Sequence, residues 1–188
     1  MVVKKSKAEI ATIDCVLVTI ETGDGEFGFD TANQIQVEPQ IDEEDAVKLV
    51  VKGILRAQKP AVKTITGNEI TLTDNVFNPE LVLTLQGGLI KYDETDTDKI
   101  TGYTPPISGS GEKGEIFKLN AYSAQYDASG QIVQYEKITY PNCSGVPVAF
   151  GSEDGVFRVP EYTIISAPKT TEAPYDIDYV SALPVLTE

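Results

Sequence analysis

Short runs rich in Val, Ile, Thr and Tyr, broken at close intervals by Gly, Asn, Asp and Pro, extend along nearly the whole chain. This rhythm constrains the fold more than any other feature. β-branched and aromatic side chains suit a pleated, half-buried surface, and many short strands between turn signals point to a β-sandwich or barrel. The 188 residues suffice for one domain with a real core and little more. The domain is therefore read as 1–188, with a flexible N-terminal segment, 1–10, and a C-terminal arm, 167–188.

The segments are read in order. Thr12–Glu21 is apolar on both faces and predicts a strand covered on both sides. Gly23, Asp24, Gly25 and Gly28 predict a loop or turn after it. Residues 34–40 predict a second strand that ends near Pro39. Residues 42–59 fit two periods. A helix would have Asp42 as cap, acids in its first turn, and Lys48, Lys52 and Arg56 four apart. A strand suits Val50, Val51 and Gly53 better, and is preferred. Residues 62–66 and 69–73 predict a hairpin about Gly67-Asn68. Residues 116–126 and 131–140 predict another, turned by Asp127-Ala128-Ser129-Gly130. Residues 157–165 predict a last strand that Pro160 consigns to an edge or a bulge. Pro168, Pro174 and Pro184 then punctuate an arm expected to lie extended and unpacked.

One helix stands out. Asn78 suits the N-cap, Pro79 the first helical position and Glu80 the positive end, while Gly87-Gly88 supplies the stop. Leu81, Val82, Leu83 and Leu85 make it strongly apolar. It is expected to be buried against a sheet or a neighbouring subunit, with Phe77 as a hydrophobic staple.

Charge and chemistry narrow the function. The net charge of -14 repels polyanions, and no basic stripe suits phosphate gripping. No apolar run approaches the length of a membrane span, and the first residues do not read as a secretory signal. The chain has no histidine, two distant cysteines (Cys15 and Cys143) without CxxC spacing, and no GxSxG, P-loop or GxGxxG motif. The expectation is a non-enzyme without metal or cofactor, its cysteines buried thiols. The acids Asp93, Glu94, Asp96 and Asp98 lack the EF-hand pattern and read as a solvated loop. The tyrosines at 122, 126, 135, 140 and 162 read as cross-strand packing, with a carbohydrate or partner surface as the alternative.

The stretches ITGNEITLTDNVFNPELVLTLQGG (65–88), KLNAYSAQYDASGQIVQYEKITYPNCSGVPVAF (118–150) and RVPEYTIISAP (158–168) resemble the tail tube proteins of long-tailed bacteriophages and of phage-tail-like bacteriocins. The similarity of pattern runs in order from about residue 10 to 184. It implies a mainly β sandwich or barrel-like subunit with one flanking helix. Six copies would form a ring, and rings would stack into a hollow tube. Partners would be further copies and other tail proteins. DNA would pass without specific binding through an acidic lumen, or the tube would perforate a membrane without stable insertion. The location would be a virion tail or a phage-tail-like particle assembled in a bacterial cytoplasm. Candidate interface residues are Asp42, Glu43, Glu44 and Asp45, the basic Lys48, Lys52 and Arg56, the helical Leu81, Leu83 and Leu85, and Pro168 and Pro174 in the arm. A decoration or adhesion module of a particle surface, also non-enzymatic, is the alternative.

Overall fold

The computed structural model describes residues 11–23, 25–96 and 98–186. Twelve strands and one helix follow in the order β1 (Thr12–Glu21), β2 (Glu26–Phe29), β3 (Ala32–Glu44), β4 (Val47–Val51), β5 (Ile54–Lys59), β6 (Val62–Asp74), α1 (Pro79–Gln86), β7 (Leu89–Tyr92), β8 (Ile100–Thr104), β9 (Phe117–Tyr126), β10 (Ile132–Gly145), β11 (Glu161–Ser166) and β12 (Asp176–Val180). The mainly β class predicted from the rhythm is what forms.

The principal sheet is antiparallel, in the order β2-β1-β9-β10-β11-β6-β3, with β12 added to β10. Strand β10 belongs to two halves. Its residues 132–140 pair with β9, and 135–139 pair with β12 on the other side. After a register shift between Tyr140 and Cys143, residues 143–145 pair with β11 instead. Asn142 makes that bend, with φ of 51°, a region that Asn tolerates better than most residues. The sheet curls without closing into a barrel. Both halves turn their apolar residues into one core: Val18, Ile20, Leu119 and Tyr140 from one, Ile70, Leu72, Tyr162 and Ile164 from the other.

Helix α1 plugs this core as its local chemistry predicts. Asn78 accepts hydrogen bonds from the backbone N–H of Glu80 and Leu81 at 3.0 and 3.1 Å, and Gly87 ends the helix. Leu81, Val82 and Leu85 are buried; Leu83 is only half-buried and looks outward. Phe77 packs on the core and meets Phe150 edge-on at 5.7 Å. Beyond the helix, Tyr103 of β8 accepts from Gln86 Nε2 at 2.9 Å and donates to the Gly87 carbonyl, clipping the β7–β8 hairpin to the helix end. That hairpin carried no signal in the sequence reading.

The β9–β10 turn is as read: Asp127 Oδ1 accepts from Ser129 N, Ser129 Oγ and Gln131 N at 2.8, 2.6 and 2.9 Å. Several other expectations are corrected. Gly67-Asn68 is no turn. It lies mid-strand in β6, where Asn68 pairs with Pro39 and Ser166 and donates to the Pro174 carbonyl at 2.8 Å. A Cβ at Gly67 would meet the Ser166 carbonyl at 2.6 Å, so glycine serves a close backbone approach there. Gly28 belongs to β2 and not to a loop. Strand β3 continues past Pro39 to Glu44; it is an edge strand, where a proline is tolerated. Residues 42–59 are strand rather than helix, but contain a hairpin: Lys52 and Gly53, at φ 51° and 78°, form its turn. Residues 157–159 are not strand; Pro160 precedes β11, which is an interior strand between β10 and β6. The C-terminal residues are not an unpacked arm, since β12 pairs with β10 from Asp176 to Val180. The segment 1–10 lies outside the described residues.

Candidate assembly surfaces

The features that call for partners are open strand edges, an apolar arm, a face without cations and a groove beside α1. Strands β2, β3 and β12 each pair on one side only among the described residues. An open edge presents unpaired N–H and C=O groups, and natural folds cover or blunt it. Strand β3 is the longest of the three at 13 residues.

Strands β3 and β6 run on past the body of the sheet and carry the β4–β5 hairpin beyond them. At ~3.3 Å per residue, residues 41–51 make an arm roughly 30 Å long. Every residue of β4 and β5 is exposed. Val47, Leu49, Val50, Val51, Ile54 and Leu55 remain 43–64% exposed. Strand alternation and the register put Val47, Leu49, Val51 and Ile54 on one face, and Val50 and Leu55 on the other. A two-stranded ribbon with no sheet behind it is marginal in water. Covering six such side chains is worth roughly 1 kcal/mol each, given about 1.5–3 kcal/mol for complete burial.

The charged candidates gather on this arm. Glu43 and Glu44 pair within the chain, with Lys63 at 3.2 Å and Lys59 at 2.7 Å; both bridges are exposed and of small energetic weight. Asp42 to Glu44 are therefore the end of β3, and Asp45 lies in the link to β4. Lys48, Lys52 and Arg56 lie on the hairpin beyond them, Lys52 at its turn and Arg56 at a bulge.

Across the half-sheet β3-β6-β11, alternation points one set of side chains away from the core. That set is Gln34, Gln36, Glu38 and Gln40 of β3, Glu69, Thr71 and Thr73 of β6, and Glu161, Thr163 and the half-buried Ile165 of β11. It contains no lysine or arginine. The other half-sheet carries a polar ladder, buried at Thr19 and Asn120, on its corresponding face. Thr19 donates to Glu26 at 2.6 Å, Asn120 donates to Thr19 at 3.1 Å, and Thr139 donates to Asn120 at 2.8 Å, tying together β2, β1, β9 and β10. Leu186 near the C-terminus reaches this face beside Gly28.

A groove of about 540 Å³ opens between α1, the β1–β2 turn, β7 and residues 112–115. Phe27 and Leu83 supply apolar floor, and Glu26, Glu80, Glu112 and Glu115 stand around it. The helical candidates thus separate: Leu81 and Leu85 are committed to the subunit's own core, and Leu83 alone of the three lines an open surface. Pro174 is held to the sheet through Asn68, and Pro168 sits in the loop after β11.

The remaining candidates have local explanations. Asp93 accepts from Thr95 N and Oγ1 at 3.0 and 2.7 Å, and these bonds hold its carboxyl below the usual value. Tyr122, Tyr140 and Tyr162 are buried, whereas Tyr126 is exposed at the end of β9. Cys15 is partly and Cys143 wholly buried, both as free thiols. Burial pushes the Cys143 thiol up to about 11. The signals that the sequence reading missed are the groove acids, which come from three separate segments, and the arm, whose turn rests on a lysine at positive φ.

Comparison with known proteins adds two loose structural likenesses. No family model and no curated protein matches the chain. A chain of the six-fold symmetrised cryo-EM structure of the anti-feeding prophage baseplate aligns over 95% of this chain and 98% of its own, at 11% identity and a TM-score of 0.35. A chain of the extended sheath–tube complex of an extracellular contractile injection system, PVC, aligns over 94% of each, at 13% identity and a TM-score of 0.39. Overlap this loose does not establish a shared fold.

Proposed function

We propose that the chain is a structural, non-enzymatic subunit of a phage-tail-like tube, built from copies of itself in stacked rings. The observation that carries this reading is the arm. An apolar ribbon, exposed along its whole length and standing off the body of the sheet, is a costly feature for an isolated molecule and a useful one for a polymer. The open edges of β2, β3 and β12 support the same reading, since joining edge to edge around a ring removes them. The sequence resemblance to tail tube proteins supplies the ring of six and the hollow bore.

In this reading the cation-free face of β3, β6 and β11 lines the bore. Glutamine, threonine and glutamate there offer water-wetted polar surface and negative charge, which repels a phosphate backbone and lets a polyanion pass without pausing. No described helix is long and apolar enough to cross a bilayer. The deciding experiment is negative-stain microscopy with analytical ultracentrifugation of the purified chain across a wide concentration range. Annular or tubular particles are expected. A single monomeric species throughout, with no ring or tube even beside its initiating partner proteins, would defeat the reading.

A further inference from the structure

We propose that the β4–β5 hairpin of one copy seats in the groove beside α1 of a second copy. This rests on the self-assembly reading and specifies the contact within it. The two surfaces are complementary in both of their characters. The hairpin combines exposed Val, Leu and Ile with Lys48, Lys52 and Arg56, and the described residues place no acid between Val47 and Lys59. The groove combines Phe27 and Leu83 with Glu26, Glu80, Glu112 and Glu115. Its one cation is Lys113.

The acidic chain holds only 15 lysines and arginines against 29 acids. A hairpin that carries four of those cations (Lys59 included) and no acid is therefore a local reversal of the molecule's charge. A neighbouring acidic surface attracts it, while most other surfaces of the same sign do so without an apolar floor. The hairpin is not seated on its own groove, because all of its residues are exposed. Its reach of roughly 30 Å carries it clear of its own body. Arm and groove are different surfaces, so the contact is heterologous and propagates from copy to copy. Covering the apolar ribbon supplies the affinity, and the charges fix partner and register.

Charge reversal at each surface tests the assignment, with assembly read by sedimentation and negative stain. The arm variant carries Lys48→Glu, Lys52→Glu and Arg56→Glu. The groove variant carries Glu112→Lys and Glu115→Lys, both exposed positions. Each alone is expected to lower the assembled fraction at least tenfold, and the chain carrying both sets is expected to regain it. Single variants that assemble like the parent overturn the seat and leave the tube reading standing. A doubly reversed chain no better than the singles also overturns it. A parent chain that never assembles overturns both. A second measurement does not depend on reversed chains folding. With Cys15→Ala and Cys143→Ala as background, Leu49→Cys with Leu83→Cys should give disulfide-linked multimers on mild oxidation. Absence of cross-linked species from assembled protein overturns the seat.

Discussion

Gly67 occupies a point where two strands leave no room for a side chain. Gly67→Ala would drive a methyl into the Ser166 carbonyl and is expected to cost about 1–3 kcal/mol by urea denaturation, as overpacking does. The same glycine explains a misreading. Beside Asn68 it imitates a hairpin signal, and only the approach of β11, about 100 residues later in the chain, gives it a different task. Asn78 is the opposite case. Its capping role depends on the next three residues alone, so it was legible; Asn78→Ala should lower stability by about 1 kcal/mol. Cys143 and Tyr140 govern the alkaline limb. Burial raises them to about 11 and about 12, from 9.0 and 10.0. Below pH 9 both are protonated in either state and their contribution is intact. Above it the unfolded chain loses protons that the folded chain retains, so stability falls progressively as pH rises toward the folded values. Denaturant midpoints measured from pH 8 to 11 should drop, and Cys143→Ala should flatten the first part of that drop. An unchanged slope would show that Cys143 does not retain its proton in the folded protein.

At the scale of elements, the arm and the C-terminal strand separate assembly from folding. Replacing residues 46–60 with a short Gly-Asn link should leave a folded subunit, since no core residue comes from β4 or β5. Its melting temperature should stay within a few degrees of the parent while tube formation disappears. Removing residues from Ala167 onward is different. It deletes β12 and bares the edge of β10 at Tyr135 to Thr139, so a clear fall in thermal stability is expected in addition to any loss of stacking. Leu83→Asp should block assembly in a chain that still folds, whereas Leu81→Asp should not fold, because only Leu81 is enclosed. The elements that were legible, β1, α1 and the β9–β10 hairpin, are set by local chemistry. Those that were not have non-local causes. β12 lies between Pro174 and Pro184 and forms because β10 offers a partner, while β11 starts after Pro160 and becomes interior because β6 and β10 flank it. The basic residues of the candidate surface could be read as a group because they are close in sequence. The acids opposite them, between Glu26 and Glu115, could not.

At the scale of the whole molecule, the proposed function turns on the distribution of charge. Gln36→Lys with Thr71→Lys, on the cation-free face, should leave tubes intact and give them measurable DNA retention in low salt, where parent tubes show none. Tubes that still ignore DNA would mean that this face does not line the bore. The two half-sheets, for their part, share one polypeptide segment. Strand β10 bonds to β9 and β12 along its first part and to β11 along its last, bending at Asn142. Separating the halves means breaking that shared strand and the common core together, so they are expected to unfold in one step. A chain that yields all at once or holds would suit the proposed conduit, where pressure from within would be borne by every wall segment alike.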